Sequence, residues 1–553
     1  MLKISIREAL RSSVVAAMLV TLSIGQTPDK EKVMAAAERV FAKAAATAVG
    51  PAPGCALGVS IDGQSVFEKA FGMAEMEHSI ANTPQTIFES GSVAKQFTAA
   101  AVVLLSLEGK LGLDEQVRKY IPELPDYGVP MTVRHLLNHT AGLRDWGTVM
   151  ALTGVGRGSR VVTQDLAFDI VTRQKALDFT PGAEYSYSNS GYTLLSTIVE
   201  RISKQKLPAF TEERFFKPLG MKNSSWRDDY QRLVPGRAQA YSRQGSAWRL
   251  EMPFMNVYGN GGMLTTVGDW LKWNAMLDSR SMGAPLVEAL ETVGVLNDGR
   301  KISYALGLDV SKYKGLREVS HSGATAGYQT YLARYPDQKL SIAVLCNGPS
   351  PNSGSLVRGI ADEIAGPGAP VTQPEALEMA AADLPKYVTR WRDEKTHGPI
   401  LVQLDNGVLR MNGAPLRRLK DGTFQVGTSP ARVTFKLDKD GKPVSTERLV
   451  DGGTSRAFAE AEWKPTATEL AAFAGDWFTD EAGATFTFAV EGEKAILLQR
   501  PGIRLPLSPI YKDHFSAPGG QVVWLSRDSS GKPNRLHVGA SRMRDMFFER
   551  MKK

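Results

Sequence analysis

The chain has 553 residues, of which 43% are hydrophobic and 22% are charged, a composition typical of an ordinary globular protein. At roughly 100–200 residues for each domain, this length predicts several domains. The net charge of +8 comes from scattered single side chains without a basic cluster, which argues against nucleic acid as a partner.

The first 25 residues have the pattern of an export signal. Lys3, Arg7 and Arg11 precede a short apolar run, and small residues follow at positions 23–25. A single membrane anchor or a buried first helix are the alternatives, but the run is short for a span of roughly 20 residues. We therefore predict cleavage near Gly25, no transmembrane span after cleavage, and a secreted or periplasmic location.

The two cysteines, Cys55 and Cys346, do not form a C-x-x-C pair, and the seven histidines show no H-E-x-x-H spacing. A metal site is therefore not expected. Export permits a disulfide between the two cysteines, which both fall in predicted strands. Two buried free thiols are an equally good interpretation, so the sequence leaves this choice open.

Predicted strands at both ends of a first domain, residues 28–364, enclose mostly helical patterns. An Ala-rich helix is predicted with Pro28 at its first position, and residues 55–72 then predict a hairpin with its turn at Asp62-Gly63. A second hairpin is predicted over residues 327–348. The two ends should form one antiparallel sheet, with a helical subdomain inserted between them.

Residues 365–374, rich in Pro and Gly, are predicted to be a linker. Beyond them, short alternating strands with frequent turns predict an all-β barrel or sandwich. The pattern KYVTRWRDE at 386 is repeated as AFAGDWFTDE at 472. We therefore predict two diverged barrel-like modules, at 375–463 and 466–553, with one long sandwich as the alternative.

One of four Ser-x-x-Lys pairs, Ser92 and Lys95, has the surroundings of a nucleophile and its activating amine. A serine hydroxyl needs a group that takes its proton. Residues i and i+3 of a helix lie on one face, with their Cβ atoms about 5–6 Å apart, so a lysine at i+3 can reach the hydroxyl. Gly91 precedes this pair and a long apolar helix is predicted after it, so Lys95 should be desolvated and able to accept a proton. At a helix start, the backbone N–H of Ser92 is free to bind an oxyanion.

The other three pairs have settings typical of a solvated surface. They are Ser203/Lys206 at a helix end, Ser311/Lys314 in a strand and turn, and Ser529/Lys532 in a turn. A Ser-x-x-Lys pair is therefore a weak signal by itself.

A second motif, Tyr187-Ser-Asn189, is predicted on a loop just ahead of a helix. Tyr187 could act as a general base if neighbouring cations stabilised its phenolate, and Asn189 could hydrogen-bond a substrate amide. A loop tyrosine packed on the core is the commoner alternative. The similar triplet Tyr258-Gly-Asn260 lies in a glycine-rich segment, which favours tight backbone packing instead.

A third motif, residues 321–323, ends a predicted strand just before the second hairpin. Gly323 would let a substrate backbone approach closely, with Ser322 beside it, and the next amide, on Ala324, could be a second oxyanion donor. A lone strand histidine such as His321 is more often structural than catalytic. The prediction therefore depends on the three motifs together.

In this order, SVAK at 92–95, YSN at 187–189 and HSG at 321–323 resemble the motifs of the serine β-lactamase and penicillin-binding-protein superfamily. The tyrosine of the middle motif is similar to the branch that contains class C β-lactamases, DD-peptidases, D-aminopeptidases and related esterases. The likeness spans about residues 30–364. It implies an α/β (α+β) catalytic domain, an acyl-enzyme on Ser92, and neither metal nor cofactor.

The resemblance also implies roles for single residues. Ser92 would be acylated, Lys95 and Tyr187 would share proton transfer, and the N–H groups of Ser92 and Ala324 would form the oxyanion hole. His321 stands where class C β-lactamases have lysine, and a histidine is largely neutral at pH 7, so efficient β-lactam hydrolysis is not expected.

This pattern favours a peptidase or amidase that acts on small or D-amino-acid-containing peptides. An esterase or weak β-lactamase, and a non-catalytic binder of cell-wall peptides, are the alternatives. The β repeat is similar to the barrel modules of D-aminopeptidases, in which a loop from the last barrel reaches the active site. The final module of this chain has no long glycine-rich insertion for such a loop. In this feature the chain departs from the D-aminopeptidase pattern.

Overall fold

The structure is a computed structural model that describes residues 27–48, 50–155, 160–349, 351–365, 374–429, 431–450, 453–500 and 502–552. The predicted export signal, and all of the predicted linker except its two end residues, lie outside these ranges. Within them, no helix is both long enough and apolar enough to cross a membrane.

Most helices lie between the two predicted hairpins, as the apolar patterns indicated. The first helix starts two residues later than predicted, because Asp29 caps it and accepts the backbone N–H of Glu31 at 2.9 Å. Asp145 and Ser188 cap two later helices in the same way. The helices are α1 Lys30–Ala45, α2 Lys95–Leu107, α3 Val133–Leu137, α4 Trp146–Ala151, α5 Gln164–Thr172, α6 Asn189–Ser203, α7 Leu207–Thr211, α8 Lys217–Leu219, α9 Val267–Ser279, α10 Ala284–Leu290, α11 Ser353–Ala365 and α12 Ala467–Ala471.

The strands of the first domain include both predicted hairpins, β1–β2 and β14–β15. The strands are β1 Cys55–Ile61, β2 Gln64–Phe71, β3 Met73–Glu75, β4 Ile80–Ala81, β5 Phe88–Glu89, β6 Val162–Thr163, β7 Ser225–Trp226, β8 Tyr241–Gln244, β9 Ala247–Leu250, β10 Met255–Asn256, β11 Met263–Thr265, β12 Asp309–Tyr313, β13 Leu316–Thr325, β14 Tyr328–Tyr335 and β15 Leu340–Cys346. Six of these strands form one sheet in the order β12-β13-β14-β15-β1-β2, with all neighbours antiparallel. The two ends of the domain therefore meet in one sheet, as predicted.

Helices cover both faces of this sheet, which explains why β1 and β15 are buried along their whole length. On one face, Leu57 and Ile342 pack in a core with Val33 of α1 and Val357 of α11. On the other face, Gly58 lies so close to α9 that a Cβ on it would be 3.1 Å from side-chain atoms of that helix. The sheet is thus a rigid base for the site at the start of α2.

A disulfide joins Cys55 to Cys346, which decides between the two alternatives that the sequence left open. The two residues are direct partners in the β1–β15 ladder. The bond therefore ties the first strand of the sheet to a strand near the end of the same domain, 291 residues further along the chain.

Replacing both cysteines with serine should lower the free energy of unfolding by about 2–4 kcal/mol, because a cross-link restricts the unfolded chain most when it closes a long loop. Urea unfolding with and without reductant measures this. Reductant should lower the midpoint of the wild-type protein and leave that of the double variant unchanged. Equal midpoints for the oxidised wild type and the variant would contradict the prediction.

Each C-terminal module is a closed eight-stranded antiparallel barrel, so the prediction of two barrel-like modules is confirmed and one long sandwich is not formed. The first barrel consists of β16 Thr389–Asp393, β17 Pro399–Asp405, β18 Val408–Met411, β19 Ala414–Arg418, β20 Phe424–Val426, β21 Arg432–Leu437, β22 Pro443–Val450 and β23 Gly453–Glu460. The second consists of β24 Gly475–Thr479, β25 Ala484–Glu491, β26 Lys494–Gln499, β27 Ile503–Tyr511, β28 His514–Ala517, β29 Gln521–Arg527, β30 Pro533–Ala540 and β31 Met543–Arg550. The repeated sequence pattern therefore corresponds to a repeated fold.

The second barrel docks on the helical subdomain through buried polar contacts. Arg144 Nη1 lies 2.8 Å from Glu481 Oε2, and both side chains are almost inaccessible to solvent. The backbone N–H of Lys175 donates to the same carboxylate at 2.7 Å, and that of Arg544 donates to Asp178 at 3.0 Å. A buried ion pair with these added hydrogen bonds fixes the position of the barrel.

Candidate active site

A cavity of about 690 Å³ opens where the start of α2, the strand β13 and the second barrel meet. Of the eight residues predicted for the site, seven line this cavity: Ser92, Tyr187, Asn189, His321, Ser322, Gly323 and Ala324. The eighth, Lys95, lies buried beneath Ser92. The structure therefore brings together all the residues that the three motifs single out.

Ser92 lies on a 3₁₀ turn, Gly91–Ala94, that leads directly into α2. Gly91 has a φ of +53°, and a Cβ on it would lie 2.5 Å from the amide nitrogen of Ala324. A Cβ on Gly323 would lie 2.0 Å from the carbonyl oxygen of Ser90. The two glycines thus allow the serine turn and β13 to touch, which places the backbone of Ser92 close to that of Ala324.

Lys95 contacts three oxygen atoms in the buried space below the cavity. Its Nζ lies 3.2 Å from Ser92 Oγ, 2.9 Å from Asn189 Oδ1 and 2.5 Å from the carbonyl oxygen of Asn260. None of these partners is a carboxylate. The lysine is therefore placed to exchange a proton with the serine hydroxyl.

Burial lowers the pKa of the Lys95 ammonium well below its usual value. Asp145 raises it by a smaller amount, and the guanidinium of Arg542 lowers it further. Desolvation is thus the dominant effect, as the apolar helix after Ser92 predicted. The site holds an amine that gives up its proton more easily than a lysine in water.

Asp145, which the sequence motifs did not single out, fixes the orientation of Asn189. Its Oδ2 accepts both the backbone and the side-chain N–H of Asn189, each at 2.8 Å, while Oδ1 accepts the N–H of Thr148 at the start of α4. The amide oxygen of Asn189 is thereby turned towards Lys95. The second side-chain N–H of Asn189 is still available for a substrate, because Asp145 accepts one of the two.

Tyr187 packs its ring over the same amine, with Lys95 Nζ 4.9 Å from the ring centroid. The ring of His139 lies against it, tilted by 36° at a centroid distance of 4.1 Å. No described group meets hydrogen-bond geometry at its buried hydroxyl. Burial raises the pKa of Tyr187, and the nearby Ser92 hydroxyl and Arg542 lower it by less. A phenolate is therefore disfavoured here, and Tyr187 keeps its proton.

His321 uses both ring nitrogens within the protein. Nδ1 donates to the carbonyl oxygen of Ser322 at 2.6 Å, so Nε2 is the acceptor for the hydroxyl of Tyr304 at 2.9 Å. Burial lowers the pKa of His321 to about 3, and Lys95 adds to this effect. The ring is neutral, as expected from the sequence, and Tyr304 is a partner that the sequence did not reveal.

The triplet Tyr258-Gly-Asn260 packs tightly, as predicted, since a Cβ on Gly259 would lie 2.7 Å from the Cβ of Ser196. It also contributes to the site, because the carbonyl of Asn260 contacts Lys95. The side-chain Oδ1 of Asn260 is buried, and no described group donates a hydrogen bond to it. Asn260 lines the cavity, so this oxygen is an acceptor without a partner there.

The second barrel does reach the site, contrary to what its compact sequence indicated. The short turn between β30 and β31 carries Arg542, whose carbonyl accepts the N–H of Asp145 at 2.9 Å. Its guanidinium lies 4.8 Å from the ring centroid of Tyr187. No long loop is needed, because the barrel itself docks on Arg144, the residue before Asp145.

The remaining Ser-x-x-Lys pairs lie where the sequence placed them. Lys206, Lys314 and Lys532 are exposed, and Lys314 pairs with Asp362 at 2.7 Å. The described ranges contain one group that could hold a metal ion, formed by Glu75, Glu77 and His78, and none of these residues lines the cavity.

A serine hydroxyl in contact with a buried lysine amine of lowered pKa is the machinery of a serine hydrolase. The antiparallel sheet with helices inserted between its ends has the β-lactamase and transpeptidase architecture. Residues 41–366 match the family model described as Beta-lactamase, and the chain belongs to this family. It is a serine hydrolase.

The chain is similar to the D-aminopeptidase of Brucella anthropi, with 26% identity over 528 residues that cover 90% of this chain and 95% of that protein. Penicillin-binding protein 4* of Bacillus subtilis is 32% identical over 306 residues, or 52% of this chain and 66% of that protein. Among solved structures, the octameric penicillin-binding protein homologue from Pyrococcus abyssi has a TM-score of 0.53 and 22% identity, and covers 86% of this chain and 99% of its own. At that identity, the structural likeness supports the fold alone.

Proposed function

We propose that this protein is an exported serine peptidase or amidase that cleaves small peptides containing D-amino acids through an acyl-enzyme on Ser92. The contact between Ser92 and the buried amine of Lys95 carries this proposal. The match to a D-aminopeptidase over 90% of the chain supports the substrate class. The pattern of residues 1–25 supports export, and so does the disulfide, since disulfides persist mainly in oxidising compartments.

In the first step, Ser92 Oγ attacks the substrate carbonyl while Lys95 takes its proton. A neutral amine has two N–H groups and one lone pair, and Asn189 Oδ1 and Asn260 O each accept one N–H. The lone pair then faces Ser92 Oγ. The N–H groups of Ser92 and Ala324 stabilise the oxyanion of the tetrahedral intermediate.

When the C–N bond breaks, the leaving amine needs a proton. Tyr187 holds one, because burial raises its pKa, and the Lys95 ammonium beside it replaces that proton. Water then attacks the acyl ester and transfers a proton to the neutral amine of Lys95. The ester C–O bond breaks, and Lys95 returns that proton to Ser92 Oγ. Lys95 is the base in this scheme, and Tyr187 is the acid that serves the leaving group.

The strand β13 offers a docking edge for a peptide backbone. Its last pair with β12 is Ser320 with Asp309, so residues 321–325 extend beyond that neighbour, beside the serine turn. An extended peptide adds to such an edge through main-chain hydrogen bonds. Trp146, Met255 and Val257 supply apolar surface to the same cavity for a substrate side chain.

A fluorophosphonate probe with intact-mass measurement tests the nucleophile. The wild-type protein should gain one adduct, and the Ser92→Ala variant should gain none. Ser203→Ala is the matched control, since it removes the serine of a surface Ser-x-x-Lys pair and should be labelled like the wild type. An adduct on Ser92→Ala, or no adduct on the folded wild type, would overturn the proposal.

A substrate panel then tests the specificity. D-amino-acid amides and acyl-D-Ala-D-Ala peptides should be cleaved faster than their L counterparts, and faster than nitrocefin. Higher kcat/KM for p-nitrophenyl esters or nitrocefin than for every peptide would favour an esterase or a weak β-lactamase instead.

A further inference from the structure

We infer that the substrate carries a carboxylate next to the bond that is cut, and that Arg542 of the second barrel binds it. This inference rests on the proposed function and makes it narrower: the chain removes a C-terminal residue, and does not select substrates by a free amino terminus. Arg542 is then a specificity-determining residue that belongs to a different domain from the nucleophile.

The charge of the cavity favours an anionic ligand. None of the described residues that line it is acidic, whereas three are arginines: Arg227, Arg358 and Arg542. Arg227 is neutralised, because its guanidinium donates to both carboxylate oxygens of the buried Glu89, at 2.8 and 2.9 Å. Arg358 and Arg542 are exposed. A cavity of this kind attracts an anion and repels an ammonium group.

The position of Arg542 leaves its guanidinium open to such a ligand. Its backbone is held by the N–H of Asp145, and its guanidinium lies over the ring of Tyr187. In the described part of the chain, no carboxylate forms an ion pair with this guanidinium. Its five N–H donors, in a planar fork that matches a carboxylate, are thus open to a ligand in the cavity.

The nearby acid does not serve as that partner. Asp145 is buried, and its carboxylate oxygens already accept hydrogen bonds from Asn189 and Thr148. It does not line the cavity. A substrate carboxylate would therefore meet Arg542 without competition from a protein carboxylate at the cavity surface.

The side of the cavity on which Arg542 lies identifies the part of the substrate that carries the carboxylate. Arg542 lies beside Tyr187, the residue that supplies a proton to the leaving amine in the proposed reaction. The carboxylate therefore belongs to the leaving amino acid. Ser92 forms an ester with the acyl part, the C–N bond breaks, the amine departs with the proton of Tyr187, and water hydrolyses the ester.

The test compares kcat/KM for acetyl-D-Ala-D-Ala, for its C-terminal amide, and for the unblocked dipeptide amide. The wild type should prefer the free acid to the C-terminal amide on the order of 10- to 100-fold, the usual value of a charged hydrogen-bonded contact. Arg542→Gln should abolish this preference, because it should lower kcat/KM for the free acid on the order of 10- to 100-fold more than kcat/KM for the C-terminal amide. Arg535→Gln is the matched control, because Arg535 lies on the same barrel, over Phe547, and does not line the cavity.

A neutral ester, p-nitrophenyl acetate, distinguishes failure of this inference from failure of the proposed function. If the wild type forms an acyl-enzyme with this ester but shows no preference for the free acid, the inference is wrong and the proposed function stands. A preference that survives in Arg542→Gln, or faster cleavage of the unblocked dipeptide amide than of the acid, also overturns the inference. If neither the ester nor the probe acylates Ser92, the proposed function fails, and the inference fails with it.

Discussion

Replacing Lys95 with methionine should lower kcat/KM by about 10²- to 10⁴-fold, the usual contribution of a positioned proton acceptor. Methionine fills a similar volume in the buried space but has no amine to take the proton of Ser92. The fold should persist, because Asp145 still holds Asn189 through two hydrogen bonds. Steady-state kinetics on an acetyl-D-Ala-D-Ala substrate measure the loss, and near-UV circular dichroism checks the fold.

Lys95→Arg distinguishes a base from a mere positive charge. An arginine keeps the charge but does not lose its proton in proteins, so this variant should be as inactive as Lys95→Met. Higher pH should not restore its activity. An Arg variant within tenfold of the wild type would show that Lys95 acts through its charge, and would refute its role as the base.

The pH dependence of the wild type gives a further check on Lys95. Only the neutral amine accepts a proton, and burial lowers the pKa of this lysine from 10.5. Activity should therefore rise with pH along a limb that lies well below pH 10.5 and then reach a plateau. The pKa of His321 is lowered to about 3 and that of His139 well below 6.5, so neither buried histidine accounts for a limb at or above pH 6.5.

The sequence contained enough information for the local parts of the site. Gly91 before Ser92 and the apolar helix after Lys95 predicted a helix start with a desolvated amine, and both features are present. The hairpins at both ends of the domain predicted the sheet that carries β13. These features are set by residues a few positions apart, so they are visible as turns and periodic patterns.

The parts that escaped prediction depend on contacts between distant segments. Asp145 bonds to Asn189 across 44 positions, and Tyr304 reaches His321 from outside any motif. Arg542 reaches Tyr187 only because the second barrel docks where it does. The short turn that carries Arg542 has no unusual composition, so the lack of a long insertion in the second barrel gave no sign that this barrel reaches the site. Domain docking is set by side-chain contacts such as that of Arg144 with Glu481, which no spacing rule indicates.

The ion pair between Arg144 and Glu481 should contribute strongly to the attachment of the second barrel. Replacing Glu481 with alanine should destabilise the attachment of the second barrel by about 3 kcal/mol, because the buried guanidinium of Arg144 loses the carboxylate that it contacts at 2.8 Å and retains Asp178, at 3.7 Å. The backbone N–H of Lys175 also loses its acceptor. Thermal unfolding and limited proteolysis between the barrels and the first domain measure the loss.

Activity should fall together with this attachment, because Arg144 directly precedes Asp145. The carboxylate of Asp145 holds Asn189, and its backbone N–H donates to the carbonyl of Arg542. The loss should be larger for a substrate with a free carboxylate than for p-nitrophenyl acetate, since only the former needs Arg542. Asp480→Ala is the matched control: its pair with Lys175 Nζ, at 2.5 Å, is more than 60% exposed on both sides, and such pairs contribute about 0–1 kcal/mol. If Glu481→Ala behaves like Asp480→Ala in unfolding and in kinetics, the barrel is not held by this ion pair, and the geometry of the site does not depend on its docking.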